Sequence, residues 1–236
     1  MPRALSMVVA AWSALLRLAL LVLVFLVLPA TTIALLTDRM GGDGGSVAAL
    51  GNEARGRTPP RPLGPDATYV RTMVLSSGDL RVVHWIESDD LLLSLGLAVP
   101  AVAGAEDVEA RNVRVVADGR RVTGPDLIAG YPQSYPLLGA HSVQVRYRLK
   151  GAVERSASPT GRGLVLVSAL DVLQDPAPSH AIRSVLAPEV LSLACAPSTA
   201  PTTPAQCGTI DSGGGWSVEQ AGERLDERVV AQVSLG

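Results

Sequence analysis

The sequence is poor in the residue types that mark nucleic-acid-binding proteins. Its 236 residues include 8 aromatic side chains and a single lysine, Lys150, and the formal net charge is −2. No acidic residue precedes Asp38, so all 22 acidic residues and 18 of the 20 basic residues lie from Asp38 onward. Such a mildly acidic domain has no electrostatic footprint for nucleic acid. We therefore predict no nucleic-acid partner.

Motifs for catalysis and for metal or nucleotide binding are also missing. His84, His141 and His180 stand far apart, and none has a second ligand at helical metal spacing. No G-x-S-x-G elbow is present for a serine nucleophile. The acidic clusters at 87–90 and 106–109 lack the D-x-D-x-D-G pattern of a calcium loop. The sequence predicts no catalytic residue, no metal, no cofactor and no small-molecule ligand.

One long hydrophobic run is present near the N-terminus. Leu18–Leu36 carries no charge over 19 residues, which as a helix would cover roughly 28 Å, close to the hydrocarbon thickness of a bilayer. Arg3 and Arg17 precede the run and Asp38 follows it, which favours a cytoplasmic N-terminus. We predict a single-pass membrane anchor over residues 1–37 with an extracytoplasmic domain. A cleaved signal peptide and a buried helix of a cytoplasmic protein are the alternatives.

Residues 38–66 are rich in glycine, proline and arginine, and predict a flexible linker. From residue 67 the chain changes to short β-prone runs separated by turn residues. Asp118-Gly119 is the strongest hairpin signal, and Ser142–Leu149 alternates apolar and polar side chains. Residues 222–228 could hold a short helix.

We count about ten short strands between residues 67 and 236, and no long amphipathic helix. The predicted runs are 69–75, 80–87, 91–99, 113–116, 121–123, 142–149, 162–170, 182–186, 190–194, 216–219 and 229–235. Many short strands with turn-rich connections indicate a sandwich or a barrel. We predict an all-β domain, an Ig-like antiparallel β-sandwich, because uneven strand lengths do not favour closure.

Cys195 and Cys207 flank an excursion rich in proline and threonine. In an exported domain, two cysteines at this spacing favour a structural disulfide that closes the loop. Two free thiols are the main alternative, because a metal or redox site would need further ligands or a C-x-x-C spacing.

Tyr131 and Tyr135 lie in a predicted loop, residues 125–139, and each is followed by proline. Exposed tyrosines on a loop suit a contact surface for a partner. The alternative is that the two rings cover the end of the core.

The run Gly139–Val153 resembles a strand of the exported β-sandwich domain found in uncharacterised membrane proteins of GC-rich, actinobacterial-like bacteria. Leu75–Leu80 resembles the earlier hairpin of that domain. The resemblance implies the fold and the compartment, and carries no activity.

Two functions from different classes follow. The first is a binding or structural module tethered in the bacterial cell envelope, with a protein partner in the membrane or wall. The second is an envelope hydrolase whose site is assembled from dispersed residues such as His84, His141 and Asp171.

Overall fold

The domain is all-β. A computed structural model describes residues 58–198, 203–211 and 215–236. Within these ranges, no helix is long and apolar enough to cross a membrane. The predicted anchor at residues 1–37 lies outside the described residues. The strands are β1 (Ala67–Val74), β2 (Leu80–Ala98), β3 (Glu109–Ala117), β4 (Arg120–Val122), β5 (Leu127–Ala129), β6 (Gln133–Lys150), β7 (Val153–Arg155), β8 (Arg162–Val165), β9 (Asp171–Leu173), β10 (His180–Leu186), β11 (Glu189–Pro197), β12 (Ala205–Gln206), β13 (Thr209–Ile210), β14 (Trp216–Ala221) and β15 (Glu227–Ser234).

The strands form two sheets. The larger sheet has the order β13-β14-β10-β1-β2-β6-β3-β4, with β5 beside β3 and β9 beside β2. The smaller sheet has the order β12-β11-β15-β8-β7. A short 3₁₀ helix, Gly222–Asp226, joins β14 to β15 and therefore connects the two sheets. It occupies the segment for which the sequence predicts a short helix.

The core lies between the two sheets. One buried cluster contains Val82 and Val145 of the larger sheet together with Leu193, Ala231 and Val233 of the smaller one. These side chains are at most 1% exposed. Burying apolar faces of two sheets against each other is the main source of stability in a sandwich-like fold.

The strongest local predictions are confirmed. Asp118 and Gly119 both have positive φ angles, 44° and 77°, as a two-residue hairpin turn between β3 and β4 requires. In the alternating segment, Val143, Val145 and Leu149 are at most 1% exposed. This strand therefore turns one face to the core and one away from it.

Two predicted runs form a single long strand. The runs 80–87 and 91–99 both belong to β2, which continues across two register shifts against β6 between Glu87 and Ser94. Gly96 lies inside β2 beside β9, and a Cβ atom there would stand 3.0 Å from the Cβ of Leu173. The glycine thus permits a close approach of neighbouring strands. The exposed residues Asp89 and Asp90 lie at the register shifts within β2 and not in a loop between two strands.

The expectation of a loop at residues 125–139 is wrong. β5 lies within it, and β6 already begins at Gln133. Gln133 pairs with Leu97 and Tyr135 with Leu95, so the second half of β2 supplies the hydrogen-bonding partner for this segment. Pro125 and Pro132 flank the strands, whereas Pro136 lies inside β6 opposite Ser94.

The expectation of a purely antiparallel sandwich is also wrong, because the larger sheet is mixed. β1 and β10 run parallel, with Ala67 opposite His180 and Met73 opposite Leu186. The other strand pairs in the described residues are antiparallel. A parallel pair needs a long crossover, and here most of the domain lies between its two strands.

The end of the predicted linker contacts the domain. Leu63 packs against an outer-face cluster that includes Tyr69 and Trp85, whose rings meet edge to face at 5.7 Å. Asp66 accepts hydrogen bonds from the Ser88 hydroxyl and from a backbone N–H. Residues 58–66 are therefore held to the larger sheet, and the rest of the predicted linker lies outside the described residues.

Candidate functional site

A cavity opens between the two sheets at one end of the core. Its volume is about 480 Å³, within the range of roughly 300–1,000 Å³ that small-molecule sites occupy. The larger sheet contributes β1, β2, β9 and β10, and the smaller sheet contributes the start of β15. The lining residues are Thr68, His84, Leu170, Asp171, Val172, Leu173, Ala177, Pro178, Ala181, Arg183, Ser198, Gly222, Leu225, Asp226, Glu227 and Arg228.

His84 reaches this cavity from an inward position on β2. It alternates with Leu80, Val82 and Ile86, each of which is fully buried, and it is itself only 5% exposed. Neither ring nitrogen has a hydrogen-bond partner.

The environment of His84 keeps its ring neutral. Burial and, to a smaller extent, the nearby Arg183 cation lower the pKa of His84 from 6.5 to about 3. At neutral pH the ring accordingly offers one N–H donor and one nitrogen acceptor. The ring lines the cavity wall, and its two nitrogens are buried without a hydrogen-bond partner.

Arg183 lies on the inward face of β10, two strands from His84 and on the same side of the sheet. Its Nε donates a hydrogen bond of 2.7 Å to Oε1 of Gln220, which is 1% exposed. The Gln220 amide nitrogen donates in turn to the Glu227 carbonyl at 3.0 Å. Burial lowers the pKa of Arg183, yet a guanidinium remains charged in proteins. The result is a half-buried cation with its orientation set by Gln220.

Asp171 and Arg228 form an ion pair at the edge of the cavity. Two hydrogen bonds, of 2.6 and 3.3 Å, join the two guanidinium nitrogens of Arg228 to the two carboxylate oxygens of Asp171. The pair joins β9 of one sheet to β15 of the other. Because the Asp171 carboxylate is engaged on both oxygens, its charge is largely balanced by Arg228 rather than by Arg183.

Hydroxyl groups close to the cavity are bonded to the backbone. The Tyr147 hydroxyl accepts a hydrogen bond from the Leu170 N–H at 2.9 Å, and Thr72 donates to the Ser168 carbonyl at 2.6 Å. Burial raises the pKa of Tyr147 far above its ordinary value. These groups hold residues 168–170, which lead into the cavity wall at Asp171, in place.

The predicted disulfide is confirmed and supports another wall. Cys195 and Cys207 are bonded, with Cα atoms 5.7 Å apart. Cys195 is 6% exposed and belongs to the core cluster. Ser198 of the cavity wall lies inside the loop that the bond closes, so the disulfide restrains this side of the site.

The other predicted candidates lie away from the cavity. His141 does not line it, and its Nδ1 is 2.9 Å from the Ser88 carbonyl. Tyr131 is 83% exposed, and its role in a contact surface stays a prediction. Tyr135 is 1% exposed and its hydroxyl donates to the Pro125 carbonyl at 2.5 Å. The expectation that Tyr135 forms a contact surface is therefore wrong, because its ring fills the core instead.

Acidic side chains do not gather into a metal site. Across 58–198, 203–211 and 215–236, no group of three or more His, Cys, Asp or Glu side chains could hold a metal ion. Glu87 of the first acidic cluster accepts a hydrogen bond from the Ser142 hydroxyl, and Glu109 of the second pairs with Arg111.

The sequence search missed Arg183 and Gln220. Arg183 is a charged residue at an inward position of the strand predicted at 182–186, between buried Ala181 and Val185. A charge at an inward position of an apolar strand is the signal that could have identified it.

Comparisons with known proteins add no assignment. No family model matches the chain, and no curated protein matches it. An aminopeptidase N family protein from Idiomarina loihiensis has 10% identity and a TM-score of 0.44, over 70% of this chain and 29% of that one. An M1 zinc metallopeptidase from Deinococcus radiodurans has 12% identity and a TM-score of 0.33, over 70% and 41%. This chain spans less than half the length of either, and TM-scores below 0.5 carry no argument about fold or function.

Proposed function

We propose that the chain is a membrane-anchored binding module of the bacterial cell envelope, with its β-domain on the non-cytoplasmic side. The observation that carries the binding role is the end cavity, which is lined by Arg183 and by His84, a histidine whose ring nitrogens have no hydrogen-bond partner. A cavity with a few convergent polar groups is the usual form of a ligand site. A partner in the membrane or wall would deliver or carry such a ligand.

The proposed location outside the cytoplasm rests on the N-terminal segment. An uncharged run of 19 residues preceded by two arginines favours a single span with an exported domain. The Cys195–Cys207 disulfide supports an oxidising compartment. We further propose that the domain is an Ig-like sandwich carried on one N-terminal transmembrane helix. The parallel pair β1–β10 departs from the antiparallel pairing of such a sandwich.

Binding explains the site better than catalysis. A histidine with a pKa of about 3 is a poor general base at neutral pH. Both carboxylate oxygens of Asp171 accept hydrogen bonds from Arg228, and the His84 ring nitrogens have no hydrogen-bond partner. Of the dispersed residues named for a hydrolase, His84 and Asp171 line the cavity and His141 does not, which supports binding over catalysis.

One observation keeps an envelope hydrolase as the second candidate: His84 and Asp171 line the same cavity. A hydrolase acting through His84 would lose activity in His84→Gln, and its rate would depend on the protonation of that ring. Release of product from ester or glycoside substrates by the full-length protein, absent in His84→Gln, would favour this candidate over the binding module.

Export is tested by labelling thiols of the full-length protein in intact cells with a membrane-impermeant reagent. We expect labelling of the wild-type chain only after reduction, and removal of the domain by external protease in spheroplasts. Cys195→Ser is the matched control, because it leaves half-buried Cys207 unpaired and should label without reductant. Protection from protease together with free thiols in the wild-type chain would contradict the proposal.

A further inference from the structure

We propose that the end cavity binds a small hydroxylated carboxylate of the sugar-acid class, with Arg183 on the carboxylate and His84 on a neighbouring hydroxyl. This inference rests on the proposed binding function and names its ligand. It departs from the prediction, made from sequence motifs alone, that no small molecule binds.

The guanidinium of Arg183 has the geometry for a carboxylate. Its Nε is occupied by Oε1 of Gln220, and Gln220 is held by the Glu227 carbonyl, so the plane of the group is fixed. The hydrogen bond to Gln220 uses Nε alone, so the two terminal nitrogens of Arg183 lie outside it. An arginine that presents two parallel N–H groups matches the two oxygens of a carboxylate. A fixed plane also lowers the entropy lost when that pair forms.

His84 has the chemistry for a hydroxyl. A neutral imidazole presents one donor and one acceptor, and a hydroxyl group can both accept and donate. His84 is 5% exposed, and its two ring nitrogens are buried without a protein partner, so the imidazole must rotate toward the cavity to bond a ligand hydroxyl. Thr68, on the adjacent strand, adds a second hydroxyl to the same wall. The anionic group of the ligand should therefore be accompanied by hydroxyls and not by an apolar tail.

The charges around the cavity favour one negative charge over two. Asp171 and Arg228 balance each other, and Glu227 pairs with Arg224 at 3.1 Å. Asp226 is exposed at the mouth and would repel a dianion. Arg183 remains as the cation that is not balanced by a direct ion pair. A monoanionic carboxylate suits this balance better than a phosphate monoester does.

The ligand class is tested by calorimetric titration of the purified full-length protein with D-glucuronate. Matched probes are D-glucose, which lacks the carboxylate, propionate, which lacks the hydroxyls, and inorganic phosphate. We expect glucuronate to bind and the three other probes to bind at least about tenfold more weakly. Equal binding of glucose, propionate or phosphate would overturn the ligand class, and so would a complete lack of glucuronate binding.

Variants locate the binding in the cavity. Arg183→Gln should weaken glucuronate binding by at least about tenfold, and Arg183→Lys by less, because lysine keeps the charge but loses the paired N–H groups. Arg148→Gln is the matched control, because Arg148 pairs with Asp79 on the outer face and should bind as the wild-type chain does. Thermal melts confirm that each variant is folded.

Failure of this inference can be told apart from failure of the proposed function. If glucose or phosphate binds in place of glucuronate and Arg183→Gln abolishes that binding, the cavity is a binding site and only the ligand class is wrong. If Arg183→Gln and Arg148→Gln bind glucuronate equally, the cavity is not the site and the inference is overturned. Export is decided separately by the thiol-labelling experiment.

Discussion

Two regions of the same core differ in how the inward positions are filled. In the middle of β2, Leu80, Val82 and Ile86 are fully buried among apolar neighbours. At the cavity end, His84 of the same strand and Arg183 of β10 are inward as well, but they are polar. A buried polar group without a partner costs about 1–3 kcal/mol. The middle of the core therefore stabilises the fold, whereas the cavity end carries a cost in stability that the proposed binding function would explain.

The largest effect should come from the apolar region. Ile86→Ala removes a fully buried side chain and should lower the free energy of unfolding by about 4 kcal/mol, since it leaves a cavity in a packed core. Urea unfolding measures the change. Leu93→Ala is the matched control, because Leu93 is 72% exposed and its loss should cost less than about 0.5 kcal/mol. Equal effects of the two variants would contradict this account of the core.

Loss of the disulfide should have the next largest effect. Cys195→Ser combined with Cys207→Ser opens a loop of sequence separation 12 and should lower the free energy of unfolding by roughly 3 kcal/mol. Unfolding of the wild-type chain with and without reductant should reproduce the same loss. A double variant as stable as the oxidised wild-type chain would contradict a stabilising role for the disulfide.

The pH dependence of stability should distinguish the polar end from the apolar middle. The pKa of His84 is lowered to about 3 in the folded chain, against 6.5 when unfolded. Because the unfolded state binds this proton more readily, stability should be full above pH 6.5 and fall as the pH is lowered toward 3. The loss should reach about 2 kcal/mol near pH 5.

His84→Leu isolates this contribution. Other titrating groups are shared by the two chains and cancel when their stabilities are subtracted. We expect the difference between wild-type and variant stability to change by the same amount over the same pH range. A difference that does not vary with pH would contradict the neutral, buried state of His84.

The ion pair at the edge of the cavity should contribute less. Asp171→Asn should lower the free energy of unfolding by about 1.5 kcal/mol, since the two side chains are only partly exposed and solvent screens the pair in part. A double-mutant cycle with Arg228→Gln measures the coupling, which should shrink at high salt. A coupling energy of zero would mean that the pair does not join the sheets.

The two tyrosines give the smallest and cleanest contrast. Tyr135→Phe removes a hydroxyl that donates to the Pro125 carbonyl and should lower the free energy of unfolding by about 1 kcal/mol. Tyr131→Phe should leave it unchanged, because Tyr131 is 83% exposed. Equal losses in the two variants would contradict the assignment of Tyr135 to the core.

Local features of the fold could be predicted from the sequence, and distant pairings could not. The turn at Asp118-Gly119 and the alternation from Val143 to Leu149 depend on neighbouring residues, so their signals are present in short windows. The parallel pair β1–β10 joins Ala67 to His180, and no local pattern encodes a partner 113 residues away. The sequence did not predict that β2 is continuous, because Asp89 and Asp90, at its register shifts, are residues typical of turns.

The candidate site was missed for a related reason. The inward position of His84 could be inferred from its alternation with Leu80 and Val82, but the approach of Arg183 depends on the distant parallel pair. Histidine, arginine and glutamine separated by up to 136 positions form no sequence motif. Such a site becomes visible only when the strands are placed in order.

The most direct test of the account compares the urea unfolding of the full-length wild-type chain with that of His84→Leu at pH 7.5 or above. Leucine has a similar volume and no polar atoms, so it should relieve two unbonded ring nitrogens. We predict that the variant is more stable, by about 1–3 kcal/mol, and that it binds glucuronate more weakly. A variant that is less stable than the wild-type chain would contradict the claim that His84 is retained for recognition at the expense of stability.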